Sequence, residues 1–267
     1  MHDGIKALIL GVIEGLTEFL PVSSTGHMVI AMPWLGVDGQ LPLWKVFLYF
    51  IQIGAIGAVV LYFWRRLWTR IMVRPTRGWG KHLATKIFVA ALPAAVIGYP
   101  LDKVMEKYLE NPLTVAIALI VGAAAMVWIE RRYRTDKPIT IDDVSLKQAL
   151  LVGLSQCVAC IPGTSRAMAT IMGGLIVGLP ASVAAEFSFY LAIPTLCGAG
   201  ALRILKHRHD IHGDQFAILG LGFAVSFVVA LLVVAAFMRY IQTRKLWPFA
   251  VYRVALGVAV LAWWFGR

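Results

Sequence analysis

Two acidic residues, Glu14 and Glu18, stand four apart in an otherwise apolar N-terminal run, and Pro-Val-Ser-Ser-Thr-Gly-His follows at residues 21–27. Residues at i and i+4 leave a helix from one face, so the two carboxylates would share one site. Like charges in an apolar segment are costly unless a cation, a proton or a basic partner offsets them, and acids inside a membrane segment mark function by default. A wet helix end, where both acids only aid solubility, is the bland alternative. Ser23, Ser24 and Thr25 stand where a further half-helix should begin, with hydroxyls and open backbone N–H groups at a positive helix end, which suits an anion. His27 comes one helical turn after Ser24 and has the chemistry of a base or acid near neutral pH.

A second interruption, Pro-Gly-Thr-Ser-Arg, occupies residues 162–166. Gly163, Thr164 and Ser165 repeat the pattern of a polar helix start, and Arg166 adds a planar donor fork that fits a pair of phosphate oxygens. N-capping alone would account for any one of the hydroxyls. An unpaired arginine between apolar runs has little structural use. Ser24, His27, the two glutamates and Arg166 together offer a nucleophile, a proton carrier, a metal site and an oxyanion clamp. The substrate they imply is an anion of the phosphate class, presented at a membrane.

The elements that must position these residues are membrane helices. The 267 residues are 60% hydrophobic and 15% charged, with a mean hydropathy of +0.77, more apolar than a soluble core of this length needs. No period-two alternation suggests an outer-membrane barrel. Apolar runs near 43–64, 84–101, 112–129, 185–205, 215–238 and 248–265 approach the roughly 20 residues that span a bilayer as helix. Residues 4–32 and 147–179 are apolar but broken by Pro, Gly, Ser and Thr, and each reads as a re-entrant helix-loop-helix. The N-terminal run contains Asp3, Glu14 and Glu18 and lacks a basic leader, so it is expected to remain in the mature chain.

Sliding the sequence along itself by 141 pairs Pro21 with Pro162, Ser24 with Ser165, Tyr49 with Tyr190 and Gly57 with Gly198; a shift of 136 pairs Pro112 with Pro248 and Arg131 with Arg267. The expected architecture is therefore an all-α polytopic membrane protein, one membrane domain over 1–267, built as an inverted-topology repeat. Repeat one is 1–135 and repeat two 142–267, each a re-entrant helix-loop-helix followed by three transmembrane helices. Three spans per half reverse the second half in the membrane and bring the two loop tips together near the midplane.

Charge sets the orientation. Arg65, Arg66, Arg70, Arg74, Arg77 and Lys81 share one loop, Arg131, Arg132, Arg134, Lys137 and Lys147 a second, and Arg239, Arg244 and Lys245 a third. These loops fall on one side, the cytoplasmic side by the positive-inside rule, while Lys45, Lys103, Lys107, Lys206, Arg208 and Arg267 lie opposite. The net charge of +11 is thus spent on topology, and nucleic acid, which needs a continuous basic face, is excluded as a partner. Cys157 and Cys160 form C-x-x-C inside an apolar helix and, with Cys197, read as small packing residues rather than a redox pair or disulfide framework. Tryptophans at span ends, such as Trp64, Trp68, Trp128, Trp247, Trp263 and Trp264, read as interfacial anchors. The loop His-Arg-His-Asp-Ile-His-Gly-Asp at 207–214 has metal-binding residue types but reads as a solvated headgroup contact.

At Glu-Gly-Leu-Thr-Glu-Phe-Leu-Pro-Val-Ser-Ser-Thr-Gly-His (14–27) and Pro-Gly-Thr-Ser-Arg (162–166) the chain resembles the undecaprenyl-pyrophosphate phosphatase, or bacitracin-resistance, family. The resemblance covers nearly the whole chain. It implies hydrolysis of undecaprenyl pyrophosphate to undecaprenyl phosphate at the outer side of the bacterial cytoplasmic membrane, recycling the lipid carrier for peptidoglycan, with a divalent cation such as Mg²⁺ or Ca²⁺. Carried over by position, Ser24 is the nucleophile, Glu14 and Glu18 bind the cation or steer water, and His27 moves the proton. Arg166 and Ser165, with Ser23, Thr25, Gly163 and Thr164, hold the pyrophosphate. Ala167 and Met168 depart from the Ser-Gly that commonly follows this motif. The partners implied are a polyprenyl pyrophosphate and membrane lipids, with a homodimer left open. A transporter or flippase of the lipid phosphate using the same site is the alternative.

Overall fold

The computed structural model describes residues 2–71, 81–98, 100, 111–207, 213 and 215–266. All regular structure among the described residues is helical. Among the described residues five helices are long and apolar enough to cross a membrane: α3 (Pro42–Tyr62), α6 (Pro112–Tyr133), α9 (Ala181–His207, over Ala181–Ala201), α10 (Gln215–Thr243) and α11 (Trp247–Phe265). They coincide with five of the six expected spans. The sixth, expected at 84–101, is α5 (Leu83–Pro93), which continues as a π-helical turn over Ala94–Gly98. Pro93 lacks an N–H and crowds the carbonyl four residues back, so the hydrogen-bond ladder changes register there. Exposed Leu61, Ile117, Val121, Val228, Leu232 and Val258 stud the long helices, an apolar surface suited to lipid tails rather than water. The chain is an all-helical, multi-pass membrane protein.

Both interrupted segments are pairs of short helices. The first is α1 (Asp3–Thr17) and α2 (Ser24–Trp34); the second is α7 (Leu146–Gln156), extended by a 3₁₀ turn over Cys157–Cys160, and α8 (Arg166–Ile176). At 1.5 Å per residue an 11-residue helix is about 17 Å long, roughly half of a hydrocarbon core. The thiols of Cys157 and Cys160 face different carbonyls, those of Gly153 and Gly98, as packing residues would. The short α4 (Trp64–Ile71) carries Arg65, Arg66 and Arg70 of the first basic loop. Arg70 pairs with Asp142 at 2.9 Å and Arg66 with Glu186 at 3.3 Å. Arg74, Arg77, Lys103, Lys107, Arg208, Arg267 and most of the 207–214 loop lie outside the described residues.

Helix α10 packs along α1 and α3, α11 along α6, α5 along α7, and α9 against α3 and α8. α1 lies tightly on α10 at Gly15, where a Cβ would meet Val229 Cβ at 2.7 Å and the Ser226 carbonyl at 2.8 Å. The largest apolar cluster gathers Phe19, Ala167, Phe187, Phe189 and Tyr190, with Phe19 edge-on to Phe189 at 5.2 Å. Both loop tips therefore close onto one core rather than onto solvent.

Candidate functional site

Ser23 and Ser165 have φ of +73°, and among the described residues they alone do so apart from glycines. Each caps the following helix, its Oγ accepting the N–H of Gly26 or of Met168 at 3.3 Å. Residues in this sparsely occupied region persist only where their surroundings over-determine them, and they cluster at functional sites. The two serines thus correspond in conformation, 142 residues apart, whereas matching by identity pairs Ser24 with Ser165. The one-residue offset has a local cause. Gly163, at φ +92°, is an extra residue between Pro162 and its cap, and a Cβ there would meet the Val115 carbonyl at 2.6 Å.

Ser24 and Arg166 each directly follow one of these caps as the first residue of a half-helix. Both reach Glu18. Ser24 Oγ donates to Glu18 Oε2 at 2.7 Å, and Arg166 Nη2 donates to Glu18 Oε1 at 3.2 Å. Arg166 Nη1 also donates to the Ser188 carbonyl at 3.2 Å, and its guanidinium lies over the Phe19 ring. Glu14 is buried one turn before Glu18, carboxyl against carboxyl. Arg166 pairs one of the two buried acids, and the second needs a proton or a cation beside it, as buried charge requires pairing.

His27 turns away from this group. Its Nδ1 donates to the Ser23 carbonyl at 2.7 Å, which leaves Nε2 bare to accept the Tyr252 hydroxyl at 2.6 Å; the two rings stack. Neither ring nitrogen is bonded to Ser24, so the serine proton faces Glu18. Thr25 is exposed. Gly163 and Thr164 present carbonyls rather than N–H groups inward, and the Thr164 N–H is spent on the Ile161 carbonyl.

Those carbonyls point to a residue that the motifs do not contain. Arg253 of α11 is fully buried, and its five N–H bonds go to the carbonyls of Pro21, Gly163, Thr164, Ala118 and Leu119 at 3.0–3.4 Å. It ties both loop tips to α6. A lone arginine in the apolar run 247–265 is the same sequence signal as Arg166. Tyr252 and Ser188 carry no such signal, being ordinary residues for a membrane helix.

Among the described residues no group of three or more His, Cys, Asp or Glu side chains gathers. Glu14 and Glu18 are the acids that could share a cation.

The sequence model of the bacitracin resistance protein BacA family matches residues 7–259. The chain belongs to that family. It is 43% identical over 259 residues to the undecaprenyl-diphosphatase of Pseudomonas fluorescens, covering 97% of this chain and 93% of the relative. It is 44% identical over 262 residues to undecaprenyl-diphosphatase 1 of Chromobacterium violaceum, covering 97% and 96%. The undecaprenyl-diphosphatase of Thermoanaerobacter sp. is 44% identical over 261 residues, covering 96% and 95%. In this BacA family chain, Ala167 and Met168 are buried in the main apolar cluster, so the departure at these two positions falls on packing surface.

Proposed function

We propose that this protein is an undecaprenyl-diphosphate phosphatase, releasing inorganic phosphate from undecaprenyl pyrophosphate and returning the monophosphate carrier to peptidoglycan synthesis, which underlies bacitracin resistance. The observation that carries the reading is the Glu18 carboxylate held between the Ser24 hydroxyl and the Arg166 guanidinium. A hydroxyl donating to a buried carboxylate has its proton acceptor in place, and a guanidinium beside it supplies charge for a phosphoryl group.

In the proposed reaction Ser24 Oγ attacks the terminal phosphorus, and its proton passes to Glu18 Oε2. The Oγ–P bond forms as the bond from phosphorus to the bridging oxygen breaks, and undecaprenyl phosphate leaves with the bridging oxygen. Water then attacks the phosphoserine, a proton returns to Ser24, and inorganic phosphate departs. Arg166 holds equatorial oxygens throughout. His27, hydrogen-bonded to Tyr252, carries protons between the site and the outer surface.

A divalent cation fits Glu14 and Glu18. Mg²⁺ in phosphoryl-transfer sites is held by one or two carboxylates plus substrate oxygens rather than by an all-protein cage, and in this pair the ion would take the place of a proton. When bound, the ion neutralises pyrophosphate charge.

The reading includes an inverted repeat facing the outer side of the cytoplasmic membrane. Its support is a conformational match: Ser23 and Ser165 share φ and capping bond, and Gly11 and Gly153, also 142 apart, press α1 onto α10 and α7 onto α5. Arg66 and Arg70 bonded to Glu186 and Asp142 bring the first two basic segments to one end of the bundle.

The test is phosphate release from undecaprenyl pyrophosphate by the purified protein, with and without chelator. Release in buffer with Mg²⁺ or Ca²⁺ and its loss on chelation are expected; no release under either condition overturns the assignment. His27→Ala is expected to lower kcat about a hundredfold, as general acid–base groups contribute, while leaving lipid binding within about threefold. Unchanged hydrolysis in that variant would remove His27 from the proton path.

A further inference from the structure

Gln156 is the last residue of α7, buried at 5% exposure. Its Oε1 has no hydrogen-bond partner, and neither does the Nε of Arg166. Both residues line one cavity of about 510 Å³, whose other walls are mostly small or apolar, including Ala91, Ala95, Gly98 and Ala199. Buried polar atoms are nearly always satisfied, and one unsatisfied atom on each of two residues that line the same cavity calls for a missing partner. Arg166 has already used Nη1 on Ser188 and Nη2 on Glu18. Its Nε–H is left without a partner.

The 142-residue offset that matches Ser23 to Ser165 also matches Glu14 to Gln156. The two positions therefore sit at comparable places behind the two loops, one with a carboxyl and one with a neutral amide. On the Glu14 side a second carboxyl invites a proton or a cation. On the Gln156 side no carboxylate lines the cavity, and a half-turn of the terminal torsion presents the amide NH₂ where Oε1 now lies. An amide and a guanidinium on residues that line one space can bind an oxyanion without needing a counterion.

Resting on the phosphatase reading, we propose that Gln156 is a substrate-binding residue: its amide and Arg166 Nε–H together hold oxygens of the diphosphate, in the cavity between α5, the 3₁₀ turn and α9. It is assigned to binding rather than to bond breaking, because Ser24 and Glu18 account for nucleophile and proton.

Three variants test this, each checked for a monodisperse, cooperatively unfolding protein in detergent. Gln156→Met keeps the volume and removes the polar group, Gln156→Glu keeps the shape and adds a negative charge, and Gln156→Asn keeps the amide one methylene short. The first readout is the affinity for farnesyl methylenediphosphonate, which cannot be hydrolysed and so needs no turnover; the second is steady-state phosphate release. The loss of a hydrogen bond to a charged group predicts affinity weakened about tenfold in Q156M, more in Q156E, and less in Q156N. KM should rise in step while kcat stays within about threefold. The proposal is overturned if both Q156M and Q156E bind the diphosphonate within twofold of the wild type, or if Q156E binds as tightly as Q156N. Wild-type protein that binds the diphosphonate yet releases no phosphate would instead overturn the phosphatase reading and leave the binding comparison decisive for Gln156.

Discussion

Replacing Ser24 with alanine is expected to reduce phosphate release by at least about a thousandfold, the scale on which loss of a covalent nucleophile acts. Ser24 Oγ donates to Glu18 and caps no helix, so the variant should unfold at the wild-type temperature. The magnitude separates two mechanisms. If water attacked phosphorus directly and Ser24 only touched the phosphate, its removal would cost one hydrogen bond to a charged group, about ten- to a hundredfold. Ser165→Ala supplies the contrast. Its Oγ is spent on the Met168 N–H, so the change removes a cap worth about 1 kcal/mol and leaves alanine at an unfavourable φ. A lower melting temperature with activity kept within about tenfold is expected there. Equal losses in the two variants would refute the assignment of Ser24, and a phosphoserine trapped in acid-quenched turnover would support it independently.

Much of this site can be read from the sequence because charge inside an apolar run is conspicuous. Glu14, Glu18 and Arg166 stand out for their desolvation cost alone; both acids are buried, and the partly buried Arg166 is ion-paired to Glu18. The spans are legible for a related reason, since a bilayer enforces a minimum apolar length, and five of the six expected runs appear as full-length helices. The partners of these residues are less legible. Ser24 lies one turn from His27, so spacing favours a serine–histidine pair, yet the backbone turn at Ser23 aims the hydroxyl back at Glu18 and the ring at Tyr252. Matching by identity pairs Ser24 with Ser165, whereas the left-handed caps are Ser23 and Ser165, a likeness of backbone that a string comparison, which aligns prolines, does not register. Tyr252 and Ser188 meet the loops across 225 and 22 residues, and no local pattern announces such contacts. Arg253 is a different case, an intramembrane arginine whose signal is as strong as that of Arg166 but which sits in no motif.

Arg253→Met is expected to destabilise the protein by about 3–5 kcal/mol, the range for breaking a buried charged network, and to lower activity more than about a hundredfold. Methionine approximates the length of the side chain but donates nothing, so five carbonyls lose their partner at once. Three of them, on Pro21, Gly163 and Thr164, belong to the loops that set the distance between Ser24 and Arg166. Misplacement of reacting groups by about 1 Å is enough for a hundredfold loss. Arg253→Lys keeps the charge but concentrates three donors on one atom, which cannot span two loops and α6 as the guanidinium fork does; an intermediate melting temperature with activity nearer to R253M is expected. Gly122 belongs to the same device, because a Cβ there would occupy the space of Arg253 Nη2. The measurements that decide are thermal unfolding and steady-state phosphate release on the same preparations. A guanidinium that bound substrate directly would give the opposite pattern, an unchanged melting temperature with a raised KM. That result would move Arg253 from holding the loops to holding the phosphate.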